Sequence, residues 1–231
     1  MRLLSACLLA FAFAIPAHTQ DDPLSSFHRA LRQSGERTAR VVVHGASHTA
    51  GDEYTSELRR RLQARYGDAG PGWVMPASPF PYYHHARVEI AARGWRGLKV
   101  RGRDRVRTEY GYAGFAVEGV TATSTMVPDV PVDHLEVHYL GRGAGGTIHV
   151  ETDQGALESI DTGQSRGPQR RVFDLDAAAR RVSIRLEGGL VRIFGVVLEK
   201  LWGTATFVVF YLTAGVVASA LSVTLTVRSA G

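Results

Sequence analysis

Between residues 24 and 200 the period at which apolar side chains recur shortens from about 3.6 residues to two. Leu24, Phe27, Ala30 and Leu31 stand at helical spacing and predict a helix over residues 24–33, which Gly35 and Glu36 interrupt. Residues 40–44, Arg-Val-Val-Val-His, are a short β-branched run followed at once by Gly45, the pattern of a buried strand. A turn of small residues over 45–52 leads into residues 53–66. There Leu58, Leu62 and Tyr66 share one face and Arg59, Arg60 and Arg61 lie mostly on another, until Gly67 stops the helix. Helix, strand, tight turn, helix is the opening of an α/β unit, and its turn lies at the carboxyl end of the first strand, where α/β sheets place ligands. Residues 67–85 are rich in Gly, Pro and aromatic side chains and read as a loop or crossover.

From residue 86 the pattern becomes short alternating runs between Gly, Asp and Pro clusters: 87–91, 132–140, 146–151, 171–175, 180–186 and 190–198. Leu135, Val137 and Tyr139 point one way while Glu136 and His138 point the other; Val182, Ile184 and Leu186 alternate with Ser183 and Arg185. Many short strands separated by turn signals predict an antiparallel β-sandwich of jelly-roll type. The expected fold class is therefore α+β, with the start of an α/β unit over residues 21–85 and a sandwich over 86–200.

The two ends follow different rules. Arg2 and the apolar run over 3–15, followed by Pro-Ala-His-Thr-Gln, have the layout of a secretory signal peptide over residues 1–20, cleaved near 17–20. Leu4-Ser5-Ala6-Cys7 has lipobox form but sits too early, with almost no apolar stretch before it. Residues 204–227 carry no charge and are long enough for the roughly 20 residues a bilayer crossing needs. Lys200 and Arg228 flank them symmetrically, and 221–227 alternate as in a strand, so this segment reads as a membrane helix, as buried strands or as a non-native tail.

Charge and composition narrow the classes further. The net charge of +5 is carried almost wholly by arginine, with Lys99 and Lys200 the only lysines. No basic stripe with interleaved aromatics marks a nucleic-acid interface, so the balance fits a basic surface suited to anionic envelope polymers. One cysteine, Cys7, permits neither an internal disulfide nor a cysteine zinc site.

Candidate chemistry centres on Ser47. A serine in a turn between a strand and a helix presents its hydroxyl beside backbone N–H groups, the geometry of an activated nucleophile, although the same position also suits an N-cap or a plain turn residue. Residues 43–52, Val-His-Gly-Ala-Ser-His-Thr-Ala-Gly-Asp, resemble the first block of the SGNH (GDSL-like) hydrolases, which in one bacterial branch reads G-D-S-H-T/I-x-x-D. The run from Leu58 through Tyr66-Gly67-Asp68 and Gly72-Trp73-Val74 to Pro76 resembles the same branch, as does the β-rich segment after it. The architecture is similar to that of peptidoglycan O-acetylesterases with an inserted carbohydrate-binding-module-like sandwich, over roughly residues 24–200.

That resemblance implies a serine esterase without a cofactor or metal. Ser47 would be the nucleophile and its backbone N–H one oxyanion-hole donor. Gly45, Ala46, His48 and Asp52 would support the turn. Ala46 stands where the family has Asp, and the family's oxyanion glycine block, G-x-N-D and D-x-x-H do not follow the sandwich, so the chain resembles a hydrolase incomplete at its C-terminal side. His84 and His85, in the aromatic loop, are candidates for ligand contact or a surface pair; His44 reads as a core residue or one that supports the nucleophile block from behind, and His134, His138 and His149 as sandwich surface without metal-ligand spacing. Trp95, Tyr110, Tyr112 and Tyr139 either stack on sugar rings or fill the core. The expected function is an exported esterase acting on acyl esters of carbohydrate or peptidoglycan. The alternative is an inactive, envelope-anchored protein that binds glycan or protein.

Overall fold

The structure is a computed structural model that describes residues 24–34, 38–45, 47–99 and 109–200, and the backbone alone of Ser47. Three helices lead: α1 (Ser25–Arg32), α2 (Ser47–Ala50) and α3 (Glu53–Tyr66). Helix α3 begins after Asp52, has Glu53 in its first turn and Arg65 in its last, as the helix dipole favours, and ends at Gly67 with φ 105°. Its exposed Glu57 pairs with Arg60 and Arg61 one turn on, contacts that stabilise a surface helix only slightly. No residue of α3 is buried, whereas α1 buries Leu31.

Among the described residues eleven strands make two antiparallel sheets. In the first, β3 (Arg96–Lys99), β4 (Phe115–Gly119), β11 (Val191–Glu199), β6 (Val132–Gly141) and β9 (Gly167–Ala179) are neighbours in that order. The short β1 (Gly72–Val74) pairs with the far end of β11, Gly72 opposite Leu198. In the second sheet the order is β2 (Val88–Arg93), β5 (Thr123–Pro128), β10 (Val182–Glu187), β7 (Thr147–Thr152) and β8 (Gly155–Asp161). The sheets bury one core between them, Leu135, Val137, Ile193 and Leu198 from the first meeting Met126, Ile148, Val150 and Ile184 from the second.

The expected sandwich is present, and five of the six alternating runs lie within or largely on β6, β7, β9, β10 and β11, with the run at 87–91 on β2. The outer face of the first sheet is covered as well. Leu98, Ala116, Leu140 and Phe194 form a second apolar cluster there under Tyr110. Gly111 comes so near that a Cβ would stand 2.6 Å from Phe194 Cβ. Every residue of β11 is consequently buried. Arg192 and Glu118, opposite one another on that face, form a buried ion pair at 3.0 Å.

The buried strand expected at residues 40–44 is not formed. Residues 38–45 belong to no strand, and Val41 and Val42 are 41% and 38% exposed. A β-branched run becomes a strand only when another strand pairs with it, and none does so among the described residues. The α/β opening is thus a helix, the irregular segment 38–45 and two further helices. The expected signal peptide and the apolar 204–227 segment lie outside the described residues; among the described ones no helix is long and apolar enough to cross a membrane.

Candidate functional site

Residues 38–45, α2 and the start of α3 carry the Ser47 block. Gly45 has no Cβ where Thr49 Oγ1 approaches, at 1.9 Å from the position such an atom would take, and Thr49 in turn shares a 2.6 Å hydrogen bond with the Tyr54 hydroxyl. Ser47 opens the single turn of α2, which runs through His48 to Ala50. Ala46 and the Ser47 side chain lie outside the described residues. Gly51 and Asp52 then reverse the chain, Asp52 with a left-handed φ of 54°.

Asp52 is buried, and its carboxylate is fully engaged. It accepts from Thr55 Oγ1 at 2.6 Å, from Arg59 Nη1 and Nη2 at 3.1 and 3.0 Å, and from the Ala86 N–H at 3.0 Å. Burial works against its charge, but the hydrogen bonds from Arg59, Thr55 and Ala86 outweigh it and hold the carboxyl below its ordinary value. Asp52 therefore ties the turn after Ser47 to the residues that enter β2.

A cleft of about 370 Å³ adjoins this turn, lined by His48, Gly51, Glu53, Tyr82 and His84. Tyr82 and His84 are exposed. The structure so brings together His48 and His84, two of the residues singled out from sequence, while His85 takes another course. His85 is buried, which corrects its reading as half of a surface pair. Its Nδ1 accepts the Arg87 N–H at 3.3 Å, leaving the proton of the neutral ring on Nε2, which is buried without a hydrogen-bond partner among the described residues. Burial, then the positive charge of Arg59, pushes this imidazole down to about 4. His44 is exposed, where a position in the core or behind the nucleophile block was expected.

The second cluster is one that sequence reasoning missed. On the outer face of the first sheet, Glu136 of β6 and Glu199 of β11 are both buried, the first wholly. Arg40 reaches them from the irregular segment 38–45. Its Nε and Nη2 donate to the two oxygens of Glu199, each at 2.6 Å, and Nη2 donates to Glu136 Oε1 at 2.7 Å. His134 Nε2 and His138 Nε2 meet the Glu136 oxygens at 3.1 and 2.9 Å, and His134 Nδ1 meets Asp174 at 2.6 Å. Burial opposes the charge on Glu136, but His134, His138 and Arg40 override it and hold the carboxyl far below its ordinary range. Burial likewise disfavours protonated His134, and Glu136 and Asp174 more than offset that, so its pKa is raised. His134 and His138 are thus members of a buried network rather than free sandwich surface. Both nitrogens of His134 face carboxylates, an arrangement that favours the protonated ring.

Next to this network His138 packs on Trp73, ring centroids 5.0 Å apart, and Tyr112 meets Trp73 edge-on at 5.9 Å. Tyr139 lies in the core, Trp95 and Tyr110 pack against the core clusters, and Tyr112 is exposed. Among the described residues no group of three or more His, Cys, Asp and Glu side chains is arranged to hold a metal ion.

No family model matches the chain, and no curated protein matches it. Among solved structures it is similar to a peptidoglycan O-acetylesterase, with 25% identity and a TM-score of 0.60 over 80% of this chain and 50% of that one. The chain spans half the length of that esterase. It also aligns with a family 32 carbohydrate-binding module from C. perfringens, at 10% identity and a TM-score of 0.33 over 49% of this chain and 93% of that one. A family 29 carbohydrate-binding module aligns at 12% identity and a TM-score of 0.36, over 58% and 88%.

Proposed function

We propose that the chain is an exported SGNH-type serine ester hydrolase, or the part of one that carries the nucleophile, acting on acyl esters of carbohydrate or peptidoglycan. The observation that carries this reading is the likeness to a peptidoglycan O-acetylesterase across 80% of the chain. Ser47 is the nucleophile. As a general base takes its hydroxyl proton, its Oγ adds to the ester carbonyl, and the resulting oxyanion is met by the Ser47 backbone N–H. Collapse of this intermediate expels the sugar alkoxide, which takes up a proton, and leaves an acyl-serine that water hydrolyses to the free acid. In the resemblance the imidazole that moves these protons comes from the D-x-x-H block. His84, on the wall of the cleft beside α2, contacts the substrate; His85, buried behind it, supports the loop.

Hydrolysis of p-nitrophenyl acetate by the purified protein and by Ser47→Ala tests the assignment, followed by acetate release from O-acetylated peptidoglycan. The variant is expected to fall to the uncatalysed rate. Equal rates for the two proteins would overturn the esterase reading and leave a glycan- or protein-binding role.

A further inference from the structure

We infer that the sandwich is a positioning element for the nucleophile block, gripping residues 41–51 at both ends through Arg40 and Asp52. The catalytic consequence rests on the Ser47 reading above; the grip itself rests on geometry. Glu199 stands opposite His134 in the pairing of β11 with β6, and Glu136 stands two residues further along β6. The two carboxylates are therefore diagonal neighbours on one buried face, close enough for a single guanidinium to span them. Arg40 does so with three charge-assisted hydrogen bonds of 2.6–2.7 Å. At the other end Asp52 accepts the Ala86 N–H, immediately before the sandwich strand β2 begins.

Among the described residues apolar packing does little to fix the segment in between: Val41 and Val42 stay 41% and 38% exposed, and α3 buries none of its residues. Polar ties at the two flanks are thus what set where Ser47 stands relative to the cleft of His48 and His84. Asp52 keeps a left-handed backbone that a residue with a Cβ adopts only when its surroundings hold it there, and four hydrogen bonds do so. On this account the sandwich is not a detachable sugar-binding appendage. It is half of the device that aims the nucleophile.

Hydrogen exchange on the full chain, read by mass spectrometry, tests the grip in Arg40→Ala, Arg40→Lys and Glu199→Gln. In Arg40→Ala, peptides covering 41–51 are expected to exchange about tenfold faster or more, the loss of charge-assisted hydrogen bonds to buried acceptors, while β6, β10 and β11 keep their protection. Arg40→Lys restores part of the difference. With p-nitrophenyl acetate, kcat falls about tenfold or more and KM stays within about twofold, as expected when a reacting group is misplaced and binding is not. Unchanged exchange over 41–51 with an intact sandwich overturns the inference. Should Arg40→Ala fail to fold, Glu199→Gln decides by the same readout. A wild-type protein without esterase activity refutes the Ser47 reading alone, because the exchange experiment still judges the grip.

Discussion

Acidification to pH 5 is expected to cost this fold about 2 kcal/mol through one side chain, His85. The residue is 6% exposed, and the charges of Arg59, Asp52, His84 and Arg87 act on its ring. Burial and then Arg59 bring its pKa from 6.5 to about 4. In the unfolded chain the ring accepts a proton near the upper value; in the folded chain it resists until the lower one. Between the two the unfolded state binds more protons, so stability falls with pH. Across that window each pH unit costs ~1.4 kcal/mol, which gives about 3 kcal/mol in all and about 2 kcal/mol between pH 7 and pH 5. Urea unfolding at pH 7, 6 and 5, on the wild type and on His85→Gln, measures it. His134 works in the opposite sense: its raised pKa stabilises the fold fully below 6.5, and that stability is lost as pH rises through the folded value. Being present in both proteins, it cancels in the difference. Asp52 and Glu136 have lowered values, so their stabilisation is lost chiefly below 3.8 and 4.5, under the measured window. The wild type is expected to lose about 2 kcal/mol more than the variant from pH 7 to pH 5. Equal losses would refute the argument.

Two substitutions probe the sandwich directly. Gly195→Ala places a Cβ 2.1 Å from Trp73 Cζ2 and 2.3 Å from Cε2 at the irregularity where β11 passes β6, so thermal unfolding is expected to report about 1–3 kcal/mol of destabilisation. Ile184→Ala opens a void at the middle strand of the second sheet, where the side chain is fully buried, and is expected to cost about 2–5 kcal/mol in denaturant unfolding with an unchanged m-value.

The parts of the fold that could be read from sequence are those whose own residues carry the period. Helix α3 spans the predicted 53–66, and β6, β7, β10 and β11 coincide closely with alternating runs. β5, Thr-Ser-Thr-Met-Val-Pro, turns Ser124, Met126 and Pro128 inward, and only one of these advertises burial. β8 is an edge strand with mostly exposed side chains, so its sequence records little of the core. At residues 40–44 the error was of the opposite kind: a strong β-branched signal without a pairing partner. Period two correctly placed Glu136 and His138 on the face opposite Leu135 and Val137. It could not say that this second face is covered too, because the cover comes from Arg40, Trp73 and Tyr112, all distant in the chain. A buried acid with a histidine two residues to either side, His134-Leu135-Glu136-Val137-His138, was the available signal for the network.

The strand order has a consequence for how the protein is made. β10 and β11, last in the chain among the described strands, each occupy the middle of a sheet. While the chain is being synthesised, β3 with β4 and β7 with β8 can meet early as local pairs. β5 and β7 must wait for β10, as β4, β6 and even Gly72 of β1 wait for β11. Such non-local closure is slow, and until it happens four strand edges stand open to other chains. The sandwich is therefore closed at its middle last, after nearly all of it has left the ribosome, and its period of greatest risk for aggregation comes just before residue 199 arrives.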